Sequence, residues 1–565
     1  MVIAGVALAA PAHAQISEAR IQELIKQASA TVAREMPQVP STQAAGQARP
    51  KVTLTLEEAV KFALERNLDI AVQRLNPEIN DIAIASIRSV YHTSLTSTLG
   101  TQSTTNPTTS TLSGGQTQGA GVEATLSTFN GGVAQAVPWG GGSFNVTLNN
   151  NRQTTSSLNT LYNPSFNTNW SGAYVQPLLR GFKIDSTRQQ LAVSKINRDI
   201  SDVQLKATIT NTLSNVRNAY WDYVYATQAV EVAQQSVTLA EQLVKDNQTR
   251  VEVGTMAPID VVQAQSQAAT ARQNLATVMQ TMHTAELALK RLIVSGTQDP
   301  NWSAQLDPTD RPEFRPEAVD VEGAVRRALS ERTDYAIARK NLQSNDVTLK
   351  YLVDQLKPQA DMTATYGFVG LGGSQYLYDP TSTGVNRRPI GTIPGGYGDA
   401  LSTLFNGAYP RWTLAVNFSY PLGVSSQEAN VARARVQVNQ VNAQLKQIEL
   451  QIATDVTNAA VTAQTSAERV EAAQAARELA QKQLEAETSK FEVGMSTNYN
   501  VIQSQRDLAT AQNNELLAVL NYRKALVELE RLQQTTLQNL SITLVNPGGG
   551  AGATAATTVR GNQGQ

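Results

Sequence analysis

Apolar positions recur every three or four residues through two long stretches of the chain. One stretch lies between Gly181 and Gly254 and the other between Gly423 and Gly494, and neither has a glycine or a proline in its interior. Because these two residues are the usual helix breakers, each stretch predicts one uninterrupted helix of about sixty residues, roughly 90 Å long. Helices of that length lie far outside the range of ordinary globular domains.

The apolar spacing within these stretches indicates that helix packs against helix. Val230, Val237 and Val244 repeat by seven in the first stretch, and Ile448 and Ile452 form a similar stripe in the second. Sustained heptads are typical of coiled coils. The other faces are rich in Gln, Asn, Ser, Thr and Ala, so one hairpin buries too little surface and needs neighbours. Copies from other chains could close a tube, whereas the heptads alone also allow a long coiled coil or a solenoid.

The two long stretches end in nearly the same sequence. Residues 250–265 read RVEVGTMAPIDVVQAQ, and residues 490–505 read KFEVGMSTNYNVIQSQ, 240 positions later. Gly254 and Gly494 stand where the C-terminal cap of a helix favours a positive φ. Each copy therefore predicts a sharp turn between two helices, and the unit is a tall helical hairpin that is present twice.

The residues after each glycine predict where the return helix begins. Pro258 suits the first turn of a helix, and Ser496 or Thr497 can supply a side-chain cap in the second copy.

The duplication extends beyond these turns. Residues 54–84 and 319–352 align at an offset of 265, and Asp69 then matches Asp334. The first of these segments reads as a helix, a turn at Asn67 and a second helix. A fixed internal period indicates one body built from two similar halves rather than several unrelated domains.

Between the helices the apolar period changes to two. Such alternation, at about ten residues per crossing, is typical of transmembrane barrel strands with lipid on one side and water on the other. A strand of a soluble β-sandwich alternates in the same way, so the pattern alone allows both. Residues 375–410, rich in Gly, Pro, Tyr and Asn, predict an exposed loop between the two strands of the second half. The alternating apolar positions of those strands are Met362, Ala364, Tyr366, Phe368, Trp412, Leu414, Val416, Phe418 and Tyr420.

The first half contains four segments that could be extended. They are residues 91–101, 122–129, 144–150 and 170–178, separated by tracts of Ser, Thr, Asn and Gly. Because the second half offers two strands, the outer pair is assigned to the barrel. The middle pair, which turns at residues 138–140, predicts an extra hairpin within a loop.

In chain order, these patterns predict five parts. The prediction of a signal peptide is based on a short apolar run followed by Ala12-His13-Ala14, although the usual basic segment before that run is missing. The tail is rich in Gly, Ala and Thr, a composition typical of disorder. The parts are a signal peptide at 1–14; an N-terminal helix and linker at 15–51; a first repeat at 52–318, with helices at 54–88 and 186–293, strands within 91–178 and a tip at 250–260; a second repeat at 319–545, with helices at 319–356 and 425–534, strands within 358–424 and a tip at 490–500; and a disordered tail at 546–565.

Charge and residue usage exclude several classes of protein. The chain has 46 basic and 47 acidic residues, so it offers no basic field for nucleic acid. Without cysteine it has no disulfide, no thiolate metal site and no lipidated N-terminal cysteine. His13, His92 and His283 are scattered, and residues 140–142 fit a hairpin turn better than a phosphate loop. The sequence therefore predicts no enzyme, no metal and no cofactor.

The twice-repeated order of helix, strand, long helix, Val-Gly turn and return helix resembles the outer-membrane efflux proteins of TolC type. The resemblance covers roughly residues 52–540, and its parts are specific only when taken together in this order. Its most specific parts are the strand exit Gln176-Pro177-Leu178-Leu179-Arg180-Gly181, its echo Tyr420-Pro421-Leu422-Gly423, the segment Ala219-Tyr220-Trp221-Asp222 and the two Val-Gly turns.

The resemblance implies a mixed α and β membrane protein. In this family three identical chains share a twelve-stranded outer-membrane β-barrel, which is continued by a long periplasmic α-helical barrel built from two internal repeats. The tips close the tunnel and meet the hairpins of a periplasmic adaptor protein, which works with an inner-membrane pump. The implied partners are thus two further copies of the chain, the adaptor, the pump and outer-membrane lipid. The implied docking residues are Val253, Gly254, Thr255, Val493, Gly494 and Met495.

The pore entrance departs from the family pattern. In the family an acidic ring at the second tip guards the entrance and favours cations, but the matching positions here are Asn500 and Gln503. Asp260 in the first tip is the nearest acid. Three copies of it can form a negative ring, although a carboxylate that faces the dipole at the start of a helix explains it equally well.

The leading functional hypothesis is a passive, trimeric exit duct for the efflux of small molecules, in the outer membrane of a Gram-negative-type bacterium and with a large periplasmic part. The same architecture also serves type I protein secretion, because the pump selects the cargo. A periplasmic coiled-coil scaffold without a pore is the alternative from another class. Recovery of a heat-modifiable trimer from outer membranes would favour the duct over the scaffold.

Overall fold

The computed structural model describes residues 50–108, 121–311, 314–316, 318–381, 389–423 and 425–542. The predicted signal peptide, nearly all of the predicted N-terminal segment and the predicted disordered tail lie outside these residues. The described chain divides into two compact units. The helical unit takes residues from 1–76, 203–335 and 448–565, and the sheet unit takes them from 77–202 and 336–447.

Regular elements account for most of the described chain. The helices are α1 (Leu56–Arg66), α2 (Leu68–Arg88), α3 (Ser186–Glu252), α4 (Pro258–Ile293), α5 (Pro300–Ser303), α6 (Val321–Glu331), α7 (Thr333–Asp354), α8 (Tyr397–Phe405), α9 (Ser426–Glu492), α10 (Asn498–Gln533) and α11 (Thr536–Asn539). The strands are β1 (Lys51–Leu54), β2 (Ser94–Pro107), β3 (Gly121–Ala136), β4 (Ser143–Thr155), β5 (Tyr162–Pro177), β6 (Gln305–Pro308), β7 (Gln359–Tyr378), β8 (Pro389–Ile393) and β9 (Pro410–Ser419).

Asn67 separates α1 from α2, which confirms the turn predicted there. Its backbone is extended, and its Oδ1 accepts hydrogen bonds from the backbone N–H groups of Asp69 at 2.9 Å and Ile70 at 3.2 Å. A side chain in this position satisfies amides that have no partner within the helix. The Nδ2 of Asn67 donates to the backbone oxygen of Leu292 at 2.9 Å, so the break is fixed against the end of α4.

Two tyrosines of α3 form the centre of the helical unit. Tyr220 and Tyr223 are 0% and 2% exposed and belong to the same buried cluster as Leu213 and Leu289. The Tyr220 hydroxyl donates to Asp310 Oδ2 at 2.8 Å. Burial first, and then the Asp310 carboxylate, raises the pKa of Tyr220, so its hydroxyl stays protonated and keeps its role as a donor.

The heptad stripe of α3 packs against α4. Val237 belongs to a buried cluster with Ala268 and Ala271, and Val244 packs on the same cluster. The buried seam therefore places valines of α3 against the small side chains of alanines on α4. The predicted packing of helix against helix is confirmed for this pair.

The sheet unit contains a seven-stranded sheet in the order β2-β3-β4-β5-β7-β8, with β9 also paired to β7. Every pairing in it is antiparallel. Residues that face each other across neighbouring strands point to the same side of a sheet. One cross-strand row is apolar and consists of Leu95, Val133, Val146, Gly172, Tyr366 and Trp412. The adjacent row is mostly polar and consists of Thr96, Gly132, Thr147, Ser171, Gly367 and Arg411.

The prediction of an extra hairpin within a loop is wrong, because β3 and β4 are full members of this sheet. Fourteen consecutive residues of β2 pair with β3, and β4 pairs with β5 from Ser143 to Gln153. The turn between β3 and β4 is also fixed, since Gln176 Nε2 donates to the backbone oxygen of Gly140 at 2.7 Å. The first half therefore contributes four strands to the sheet, not two.

The interval predicted as an exposed loop, residues 375–410, contains β8 and α8 as well as the end of β7. Helix α8 packs on the apolar face of the sheet, where Ala400 and Leu404 are buried. A Cβ added at Gly370 would lie 2.1 Å from the backbone oxygen of Ala400, and one at Gly372 would lie 2.4 Å from its backbone nitrogen. Two glycines in alternate positions of β7 therefore make room for the helix.

Replacing Gly372 by valine is expected to displace α8 from the sheet. No side chain fits between strand and helix there, and overpacking of this kind costs about 1–3 kcal/mol. We expect proteolysis between residues 389 and 410 to become roughly tenfold faster in the purified protein. Gly391→Val is the matched control, because a Cβ there would lie 3.7 Å from Leu377, an ordinary contact. Equal protection of the two variants would show that the glycine does not hold the helix in place.

Among the residues that the structure describes, no helix combines the length and the apolar character needed to cross a bilayer.

Candidate functional site

The first tip joins α3 to α4 through a glycine-capped turn. Helix α3 ends at Glu252, and Gly254 has a φ of +78°. The Gly254 N–H donates to the Val251 oxygen at 3.0 Å, and the Thr255 N–H donates to the Arg250 oxygen at 2.9 Å. These two bonds form a Schellman motif, which satisfies the last carbonyls of a helix and needs a residue with positive φ.

The second tip, between α9 and α10, has the same geometry. Gly494 has a φ of +77°, its N–H donates to the Phe491 oxygen at 3.2 Å, and the Met495 N–H donates to the Lys490 oxygen at 2.8 Å. The predicted positive φ is thus confirmed in both copies. The repeat in the sequence encodes the same backbone turn twice.

The two return helices begin differently. Helix α4 begins at Pro258, as its sequence predicts. The side-chain cap predicted for the second tip is wrong: Thr497 occupies the cap position, but its side chain makes no capping hydrogen bond. The Ser496 hydroxyl instead donates to Glu487 on α9, and this bond, supported by Lys490, lowers the pKa of the Glu487 carboxyl. The turn is therefore tied back to the preceding helix.

The outer surface of both tips is apolar and exposed. Val253 is 68% exposed in the first tip, and in the second Val493 is 71% and Met495 is 78% exposed. Gly254, Gly494 and Thr255 are also exposed. Further exposed apolar side chains stand on the first turns of the return helices, namely Ile259, Val262 and Tyr499. We call these nine residues the tip surface. Exposed apolar side chains that are grouped in one region commonly mark a surface that binds a partner.

A buried polar contact joins the two tips. Asn247 on α3 and Asn498 on α10 are 0% and 3% exposed, and Asn247 Nδ2 donates to Asn498 Oδ1 at 2.9 Å. Asn498 Nδ2 in turn donates to the backbone oxygen of Asp260 at 3.2 Å. The amide pair therefore reaches three of the four helices that form the tips.

A cation–aromatic contact lies beside this pair. The Arg250 guanidinium carbon is 4.5 Å from the centre of the Phe491 ring, and Arg250 Nη1 donates to the Phe491 oxygen at 3.3 Å. Phe491 is buried together with Val501 and Leu243. The first tip thus holds the last turn of α9 by both a charge and a hydrogen bond.

The residues predicted for the pore entrance have varied surroundings. Asp260 lies in the first turn of α4 and is half-buried, whereas Asn500 and Gln503 are exposed. Asn500 Nδ2 donates to Ser496 Oγ at 3.3 Å, and Gln503 Nε2 donates to Asp507 Oδ1 at 2.9 Å. Asp507 is exposed and lies one helical turn after Gln503 on α10. The sequence analysis did not identify this carboxylate as part of the pore entrance.

The sequence analysis also did not identify the pair formed by Asn247 and Asn498, although the position of Asn247 in the sequence is unusual. Asn247 stands three residues after Val244, so a polar side chain occupies the heptad stripe of α3. Polar residues at such positions often specify a partner. Nothing in the sequence indicates that the partner lies 251 residues away.

The matched family model decides the affiliation of the chain. The model for outer membrane efflux proteins matches residues 142–294 and 381–533, which together are more than half of the sequence and include both tips. The chain belongs to the outer membrane efflux protein family. The comparison with curated proteins gave no match. The family consists of transport channels, so this protein is an outer-membrane channel of the efflux type.

Solved structures of outer-membrane channels share this fold. A membrane protein from Pseudomonas aeruginosa has a TM-score of 0.61 at 15% identity, over 88% of this chain and 99% of its own. The CmeC outer membrane channel of Campylobacter jejuni has a TM-score of 0.59 at 13% identity, over 90% and 96%. The MtrE outer membrane channel of Neisseria gonorrhoeae, in its open state, has a TM-score of 0.57 at 16% identity, over 85% and 88%. At these identities the likeness establishes the fold alone.

Proposed function

We propose that this efflux-family channel is a passive, trimeric exit duct that works with a periplasmic adaptor protein and an inner-membrane pump. Three sheet units close a shared barrel in the outer membrane, and the helical units of the three copies form a periplasmic tunnel. Small molecules leave the cell through it. The protein supplies a path and no chemistry, in keeping with a family of transport proteins.

The tip surface carries this proposal. Its apolar side chains stand on two turns with the same backbone geometry, and Val253, Val493 and Met495 are at least two-thirds exposed. A monomer gains nothing from holding such groups in water, whereas a partner with a complementary helical hairpin would bury them. We therefore assign adaptor docking to Val253, Gly254 and Thr255 of the first tip, and to Val493, Gly494 and Met495 of the second.

The apolar face of the sheet supports the membrane part of the proposal. Trp412 is 74%, Leu414 is 64% and Phe418 is 67% exposed on the same face. The opposite face has hydroxyl and amide ladders, such as Thr147 with Ser171 at 2.9 Å. A wall with one apolar and one polar face fits lipid outside and water inside.

The function is tested by producing the protein in a Gram-negative host that lacks its own exit duct. We expect a heat-modifiable trimer in the outer-membrane fraction and discrete conductance steps in planar bilayers. Antibiotic resistance should be restored when a matching adaptor and pump are expressed with it. A protein recovered only from the soluble fraction, without conductance, would overturn the proposal and favour a periplasmic scaffold.

We assign the pore entrance to Asp260, Asn500 and Gln503. Three copies of Asp260 near the axis would form the acidic ring, because the amide side chains of the other two residues carry no charge. We expect Asp260→Asn to lower the cation-to-anion permeability ratio by about two- to tenfold, since a ring of like charges concentrates counter-ions at a narrow opening. The ratio is read from the reversal potential in a salt gradient. Asp507→Asn is the control for a carboxylate one turn farther along α10, and an unchanged ratio in Asp260→Asn would place the ring elsewhere.

A further inference from the structure

The sheet unit contains more long strands than the family resemblance implies. Among the described residues, six strands have ten or more residues, with lengths of 14 for β2, 16 for β3, 13 for β4, 16 for β5, 20 for β7 and 10 for β9. The resemblance implies four strands from each chain. The two additional strands are β3 and β4, which the sequence analysis assigned to a hairpin within a loop.

All six strands share the same two faces. The apolar row that starts at Leu95 on β2 crosses every long strand and ends at Trp412 on β9. The polar row beside it starts at Thr96 and does the same. A hairpin lying outside the wall would interrupt both rows, so β3 and β4 are part of the wall.

The two edges of this wall have free hydrogen-bonding groups. Within the described residues, β2 pairs with β3 alone and β9 with β7 alone. Edge strands of soluble proteins are usually protected by lysines, bulges or covering segments. Here β2 has no charged residue, and β9 has only Arg411. The three most exposed apolar side chains of the described sheet lie on these two strands, with Leu95 at 81%, Leu99 at 78% and Trp412 at 74%.

The direction of the strands fits closure by another copy. Because every neighbouring pair is antiparallel, the six long strands alternate in direction, and β2 and β9 run opposite to each other. If β9 of one copy lies beside β2 of the next, that contact is also antiparallel. The apolar faces of the two copies then continue without a break.

We propose that β2 of each copy pairs with β9 of the next, so that the trimer closes an eighteen-stranded barrel and not the twelve-stranded barrel of its family. This inference rests on the proposed trimeric duct and specifies its wall. Barrel diameter grows roughly in proportion to strand number, so the bore is about one and a half times that of a twelve-stranded barrel. The membrane part of the duct therefore admits wider cargo.

Cysteine cross-linking tests this pairing, because the natural chain contains no cysteine. Thr96→Cys on β2 is combined in turn with a cysteine at each polar-face position of β9, namely Arg411, Thr413, Ala415, Asn417 and Ser419. Thr147→Cys on β4 is combined with the same five positions. Thr147 stands in the same cross-strand row as Thr96, so the two series differ only in which strand meets β9.

Oxidation of outer-membrane preparations is expected to yield covalent dimers and trimers in the Thr96 series, at one or two neighbouring positions of β9. The Thr147 series should stay uncross-linked, since β3 and β5 occupy both edges of β4. Disulfides form only where the Cα atoms approach within about 7 Å, so the pattern reports the neighbouring strand directly. End-on averages from electron microscopy should then resolve eighteen strands.

Cross-links in the Thr147 series, or in neither series, would overturn the eighteen-stranded wall. The proposed duct is judged separately, from the conductance and trimeric state of the unmodified chain. A conducting trimer that cross-links through β4 would keep the duct and reject the wider barrel.

Discussion

Replacing both tip glycines by valine, in a Gly254→Val/Gly494→Val variant, is expected to reduce efflux to the level of a host that has no duct. Both positions have a φ near +78°. A left-handed backbone costs an ordinary residue about 1–2 kcal/mol, and a β-branched residue more. The chain escapes this cost by breaking the hydrogen bonds from Thr255 to Arg250 and from Met495 to Lys490, and the tip surface then loses its arrangement.

The measurement is antibiotic susceptibility in a host that expresses the adaptor and pump, with the amount of duct in the outer membrane determined in parallel. The matched control is the Gly254→Asn/Gly494→Asn variant, because asparagine tolerates a left-handed backbone and leaves the turn intact. We expect the asparagine variant to retain most of the efflux. Normal resistance in the valine variant at equal abundance would show that the tip geometry is not the working interface.

The helices and tips could be predicted because their signals are local. Glycine and proline are the usual helix breakers, and the interiors of α3 and α9 contain neither. The Schellman turns follow from one glycine in each copy, since the hydrogen bonds join residues three to five positions apart. Because the two tips have matching sequences, the same turn could be predicted independently in each copy.

The strand count could not be predicted in this way, because membership of a sheet depends on pairing between distant segments. In β3, the glycines at 131 and 132 interrupt the alternation of apolar and polar residues. In β4, three consecutive asparagines at 149–151 remove the difference between the two faces of the strand. Because these local patterns are weak, the sequence analysis assigned the strands by assuming that the two halves of the chain contribute equal numbers. The halves are unequal in the sheet: four strands come from the first and two long strands from the second.

The same distinction explains what was found at the tips. Val253, Gly254 and their counterparts belong to the repeated motif itself, so the sequence located them. The pair formed by Asn247 and Asn498 belongs to no repeat, because residue 487, equivalent to Asn247, is glutamate and residue 258, equivalent to Asn498, is proline. The contact that joins the two hairpins is therefore the part that differs between them.

This contact leads to the expectation that an Asn498→Leu variant opens the tips more often. The substitution removes the acceptor of the Asn247 amide and leaves it buried with only a 3.5 Å approach to the Asp260 oxygen. An unsatisfied buried amide costs about 1–3 kcal/mol. This cost destabilises only the closed state, in which the two tips are joined. The ratio of open to closed channels should therefore rise by about 5- to 150-fold. Single-channel recordings should show a higher open probability, and cells should admit bulky antibiotics from outside.

Two further variants separate a specific contact from general damage. Arg506→Ala also removes a contact between α10 and α4, but that contact, from Arg506 to Gln267 at 2.8 Å, is exposed and its loss should leave the open probability unchanged. Asn247→Leu/Asn498→Leu removes both amides, and replacing both partners by apolar groups is close to neutral in free energy. We therefore expect the double variant to regain most of the closed state. An open probability in Asn498→Leu equal to that of the natural protein would mean that the amide pair packs the tips without holding them together.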